Sequence, residues 1–175
     1  MKTIKCISIQ NIHVIKTLKQ GNIHFASEKK VPDNLITPYR IMSKKYNWDT
    51  LPIFAVPDKY IVEMYGARLE NSKLLILNIP EDKIKYQCYY DWVDFIYFTE
   101  FPGEFDNVFN ISFEEFEKLV FFPEEIGKGI ACQVTFPYIK PEWVELIIDI
   151  PQKIIDDFIG TGGTNFLDLE KMNII

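Results

Sequence analysis

The run Leu74-Leu75-Ile76-Leu77-Asn78-Ile79, closed by Pro80, constrains this fold more than any other feature of the chain. It is short and almost unbroken in its apolar character, so it reads as a buried strand. Lys2–Ile9 alternates more weakly and reads as a second strand. Asn11 is placed to cap a helix running to Gln20, with Ile12, Ile15 and Leu18 on one face and Gly21 as its stop. Ile23–Phe25 reads as a short strand, and the polar stretch Glu28–Pro38, with its two prolines, as a loop. A helix is then expected over Pro38–Tyr46, with Pro38 at its start, and a short strand over Pro52–Val56. Lys59–Tyr65 fits strand and helix equally.

The second half is read in the same way. Tyr89, Trp92, Val93, Ile96 and Tyr97 recur at spacings of three and four, which makes Tyr89–Phe98 a helix. Ser112 and Glu115 form a capping-box pattern that opens a helix to about Phe122. Strands are expected at Ile130–Phe136 and Leu146–Ile150, a helical turn at Pro141–Val144 and a short helix at Pro151–Phe158, stopped by Gly160. Strands and helices mix without strict alternation, which favours an α+β class over a doubly wound sheet. The expectation is one α+β domain over residues 1–160, with a small, split, mostly antiparallel sheet and packed helices. Strands near 3–9, 22–26, 73–79, 130–136 and 145–150 supply it, and 161–175 form a tail.

Charge divides the chain. Residues 1–88 hold 14 Lys+Arg and 8 Asp+Glu, a balance of +6, and residues 89–175 hold 5 and 17, a balance of −12. The net charge of −6 hides this split. Residues 89–125 concentrate it, with ten acids, one lysine and 13 aromatic residues. Acids among aromatics are commonly the solvated faces of helices whose rings fill a core. The functional alternative is a surface for a basic protein partner, using Asp91, Asp94, Glu100, Glu104, Asp106, Glu114 and Glu115. Nucleic acid as a direct ligand is disfavoured, because phosphate binding needs a basic excess.

Cys6, Cys88 and Cys132 are widely separated, odd in number and without a CxxC, so neither zinc nor a disulfide framework is expected. The N-terminus lacks a long apolar leader segment, and no stretch reaches the length of a membrane span. A reducing, cytoplasmic setting is the expectation.

His13 and His24 are the two candidates for a general base, with Ser8, Ser27 or Cys6 as conceivable nucleophiles and no spacing that selects one. Gly160-Thr161-Gly162-Gly163-Thr164 has the glycines of a phosphate loop and lacks its lysine, so it reads as a turn. The acid pairs Glu114/Glu115, Glu124/Glu125 and Asp156/Asp157 read as helix starts or solvated faces.

Five phrases, in this order, resemble the bacterial domain-of-unknown-function family three-eight-four-one. They are Ile7-Ser8-Ile9-Gln10, Leu51-Pro52-Ile53-Phe54-Ala55, Leu74 through Asp82, Tyr90-Asp91-Trp92-Val93, and Cys132-Gln133-Val134-Thr135-Phe136. Ser8 and Phe54 stand where that family usually has tryptophan. The family brings no established activity. The opening strand, helix and Gly21 are also similar to the start of the ADP-ribosyltransferase superfamily. That likeness implies NAD as cofactor, with Ser8 and Gln10 on the first strand and Gln133 on a late strand as its contacts. In that superfamily a late-strand glutamate stabilises the oxocarbenium-like transition state; here Thr135 takes its place and lacks the charge. Glu142 or Glu145, just downstream, would have to supply it, with His24 near the nicotinamide. The resemblance thus implies a transferase-like scaffold, active or degenerate.

Overall fold

The structure is a computed structural model describing residues 2–57, 60–61, 71–124, 132–160 and 167–168. It is an α+β fold, as the mixed pattern predicts. The chain forms two compact units, each assembled from separated segments. The first takes Met1–His24, Phe54–Ile84 and Tyr138–Ile175; the second takes Phe25–Ile53 and Lys85–Pro137.

The first unit is built on an antiparallel sheet of β1 (Thr3–Asn11), β4 (Ser72–Pro80) and β7 (Val144–Asp149), with β4 in the middle. Successive residues Leu74, Leu75, Ile76 and Leu77 are all buried. Because neighbours on a strand point to opposite faces, both faces of β4 must be covered. Helix α1 (Ile12–Lys19) packs on β1 and β4. Asn11 caps it, its side-chain oxygen accepting from the His13 amide at 3.0 Å, and Gly21 turns the chain away at a φ of 80° that a side chain would resist. Helix α6 (Gln152–Gly160) sets Ile154 and Ile155 against Ile7, Ile9, Leu74 and Ile148. A short antiparallel pair joins β3 (Tyr60–Ile61) to β8 (Leu167–Asp168).

The second unit holds an antiparallel pair, β5 (Lys85–Cys88) and β6 (Cys132–Phe136). These belong to a three-stranded sheet of order β2-β6-β5, where β2 (Ile53–Ala55) enters the unit with Ile53. Around them lie α2 (Asp33–Lys45), α3 (Tyr89–Glu100), α4 (Phe105–Val108) and α5 (Phe113–Phe121). Helix α3 packs on α2, α5 and β5. Their interior is a lattice of rings. Phe95 meets Phe121 edge-on at 5.0 Å, Phe98 meets Phe105 at 5.2 Å, and Phe109 stacks on Phe116 at 5.0 Å. Offset and edge-on pairs at these distances add to the apolar burial. The Ser112–Glu115 capping box is formed in both directions.

Several expectations need correction. The strand expected at 22–26 is reduced to single bridges, His24 with Ile139 and Ala26 with Leu51. Helix α2 begins five residues before Pro38, which lies inside it; buried Leu35 and Met42 hold the helix to the core in spite of the missing amide donor. Strand β5 and helix α4 have no counterpart among the elements expected from the sequence. The turn expected at Pro141–Val144 is a 3-10 turn at Pro141–Trp143. Residues 62–65, 130–131 and the glycine-rich 161–164 lie outside the described residues. Among the described residues, no helix is long and apolar enough to cross a membrane.

Candidate functional site

In the first unit the structure brings together two of the residues singled out in the sequence. Ser8 and Gln10 share one face of β1, and the Gln10 amide donates to the Ser8 hydroxyl at 2.8 Å. Ser8 is fully buried and donates in turn to the Phe54 carbonyl at 2.7 Å. Glu145 lies elsewhere on the sheet, where its carboxylate accepts from Lys5 and from the Asn78 amide, each at 2.9 Å. Those two hydrogen bonds hold its carboxyl below the ordinary range. Glu145 is therefore ionised at neutral pH and suited to bind a cation rather than to deliver a proton. Glu142 is exposed and pairs with Lys140 at 3.5 Å. His24 exchanges backbone hydrogen bonds with Ile139, both at 2.9 Å.

Gln133 belongs to the second unit and is buried in a polar relay. Its amide donates to Gln87 Oε1 at 3.1 Å, Gln87 Nε2 donates to the Tyr46 hydroxyl at 3.1 Å, and that hydroxyl donates to the Phe121 carbonyl at 2.9 Å. Burial pushes the Tyr46 phenol well above its ordinary value. The relay commits the Gln133 amide donor to the fold itself.

The second unit also carries two concavities. One, of about 500 Å³, is bordered by Glu28, Arg40, Lys44, Trp48 and Thr50. Its arginine is occupied, because Glu28 receives both Arg40 Nε and Nη2, at 2.7 and 2.8 Å. The other, of about 410 Å³, is walled by Ile41, Phe98, Pro102, Phe105 and Phe113, with Thr99 and Asp106 its polar members. The Thr99 hydroxyl is turned back onto the Phe95 carbonyl at 2.7 Å. Asp106 is exposed, and among the described residues no ion pair engages it.

Of the seven acids proposed from sequence, Asp106 alone lines this second cavity. Asp94, Glu100, Glu104, Asp106, Glu114 and Glu115 are exposed, and Asp91 is half-buried. Burial and the neighbouring Asp91 raise the Asp94 carboxyl above its ordinary value. Glu104 accepts the Tyr97 hydroxyl, and Tyr97 packs on Phe101 at 5.1 Å. Tyr97 and Phe101 remain 44% and 46% exposed, with Val108 at 63%. Large apolar side chains left in water on the same segment as these exposed acids are the feature that composition alone did not reveal. Lys118, the lone lysine of the segment, is paired with Glu114 at 3.3 Å.

Among the described residues, no group of three or more His, Cys, Asp or Glu is placed to hold a metal ion. No protein-family model, curated protein or solved structure matches this chain.

Proposed function

We propose that this protein is a non-catalytic interaction module whose second unit captures a basic partner. The carrying observation is the apolar cavity walled by Phe98, Phe105 and Phe113, which opens beside exposed Asp106. An apolar side chain, or the methylene stem of a lysine or arginine, fits such walls, and the cationic head meets the carboxylates outside. Tyr97, Phe101 and Val108 supply further apolar contact. Rim charges of one sign speed encounter and select a partner of the opposite sign.

A labelled peptide alternating lysine and leucine tests this reading by fluorescence anisotropy, with a glutamate–leucine peptide as control. The basic peptide is expected to bind and the acidic one not to. Raising salt from about 0.05 M to about 0.5 M weakens binding at least about tenfold, since screening shortens the reach of surface charges. The double reversal Glu104→Lys and Asp106→Lys costs a similar factor, about 1.4 kcal/mol. Binding indifferent to both salt and the reversals overturns the reading.

The adjacency of Ser8 and Gln10 favours the competing reading, an NAD-binding scaffold of the ADP-ribosyltransferase type. A ligand that binds only the folded chain stabilises it by about 2.7 kcal/mol at a hundredfold excess over its Kd. For a chain of this size that is a rise in melting temperature of roughly 5–10 °C. The interaction-module reading expects no shift with millimolar NAD. A rise of that size, lost in Gln10→Ala, would establish the scaffold reading instead.

A further inference from the structure

Cys88 and Cys132 stand 44 positions apart in the sequence and directly opposite each other in the antiparallel register of β5 and β6. Opposed residues in such a pair have Cα atoms about 4.5–5.5 Å apart. A disulfide spans Cα separations of about 4.4–6.8 Å. The register is pinned one residue inward, where Gln87 and Gln133 are also opposed and buried, with their amides bonded at 3.1 Å. A slip of either strand by one position would carry its glutamine to the other face and break this bond, so the two cysteines are held opposite. Each is half-buried, which leaves a path for a small oxidant.

We propose that Cys88 and Cys132 form a redox-active dithiol that a hydroperoxide closes into a cross-strand disulfide. One thiolate attacks the terminal peroxide oxygen. A sulfur–oxygen bond forms, the oxygen–oxygen bond breaks, and the departing alkoxide takes up a proton. The opposing thiolate then attacks the resulting sulfenic sulfur, forming the sulfur–sulfur bond and releasing the hydroxyl as water. The peroxide gains two electrons and each sulfur loses one, so two thiols and a hydroperoxide give a disulfide, an alcohol and water. Burial, with a contribution from the Asp91 carboxylate, holds the Cys88 thiol above its ordinary value, so closure quickens as pH rises and deprotonates it. Cys88 immediately precedes Tyr89, the first residue of α3, so the bond would fasten the start of that helix to β6.

The test treats the folded protein with tert-butyl hydroperoxide, labels remaining thiols with N-ethylmaleimide in denaturant, and maps unreduced peptides by mass spectrometry. The expected product is two hydrogens lighter before labelling, takes label at Cys6 alone, and yields a linked Cys88–Cys132 peptide. Dithiothreitol restores labelling at all three cysteines. Cys6→Ser leaves the link unchanged, and Cys88→Ser replaces it with oxygen adducts on Cys132. Labelling at all three after peroxide, a link that involves Cys6, or oxygen adducts without a link overturns the proposal.

Discussion

Replacing Phe95 with alanine is expected to cost about 3–5 kcal/mol of folding stability. Phe95 is fully buried on α3, with its ring stacked on Trp92 at 5.7 Å and on Phe113 at 5.8 Å and meeting Phe121 edge-on at 5.0 Å. Trp92 lies one turn earlier on the same helix, and Phe113 and Phe121 come from opposite ends of α5. Three rings fixed on two helices cannot close over the void, so the loss includes a cavity cost beyond the transfer of the ring from water. Against a total stability of about 5–15 kcal/mol, one ring is a large share. Urea unfolding followed by tryptophan fluorescence measures it. Phe95→Leu, which fills more of the void, should lose less than half as much. A loss below about 1 kcal/mol for the alanine variant would show that this ring does not anchor the cluster.

The second large effect concerns the buried relay. Gln87→Leu removes the middle member, so Gln133 loses its acceptor and the Tyr46 hydroxyl loses a donor. Both Gln87 and Gln133 are at most 2% exposed, so water does not readily replace the lost bond. Stranding a buried polar group costs about 1–3 kcal/mol, whereas removing both partners together can be nearly neutral. The double change Gln87→Leu with Gln133→Leu should therefore recover much of the loss of Gln87→Leu alone. A double-mutant cycle in urea reads the coupling directly. Simple additivity of the two single losses would mean that the amides do not depend on each other.

The relay also shows where the sequence stops being legible. Lys85-Tyr86-Gln87-Cys88 alternates over only four residues, and the side chain it buries is the polar Gln87 rather than Tyr86 or Cys88, so the local pattern does not mark it as a strand. Gln87 is buried because its partners Tyr46 and Gln133 lie 41 and 46 positions away. Local signals fared better wherever the physics is local. The central strand follows from its apolar run, α1 from Asn11 and Gly21, and α5 from its capping box. Pro38 misled because proline usually opens a helix, while here Leu35 and Met42 commit the backbone around it. The acidic, aromatic segment was visible as composition. Its cavity was not, because the walls come from Ile41 on α2, Phe98 on α3, Phe105 on α4 and Phe113 on α5. The opposition of Cys88 and Cys132 depends on the unforeseen β5 and was hidden for the same reason.

The central position of β4 has a consequence for biosynthesis. Its partner β1 is already made when Pro80 is added, and its other neighbour begins only at Val144. At about 5–20 residues per second, the ribosome needs roughly 3–13 s to supply the missing strand. Between the emergence of β4 from the ribosome and that of β7, the most apolar strand of the chain offers an open row of amides and carbonyls to any other nascent chain. The β5–β6 pair, complete at Phe136, is ready before that edge is sealed. The nascent chain thus carries its most association-prone surface until almost the whole of its described length has been made.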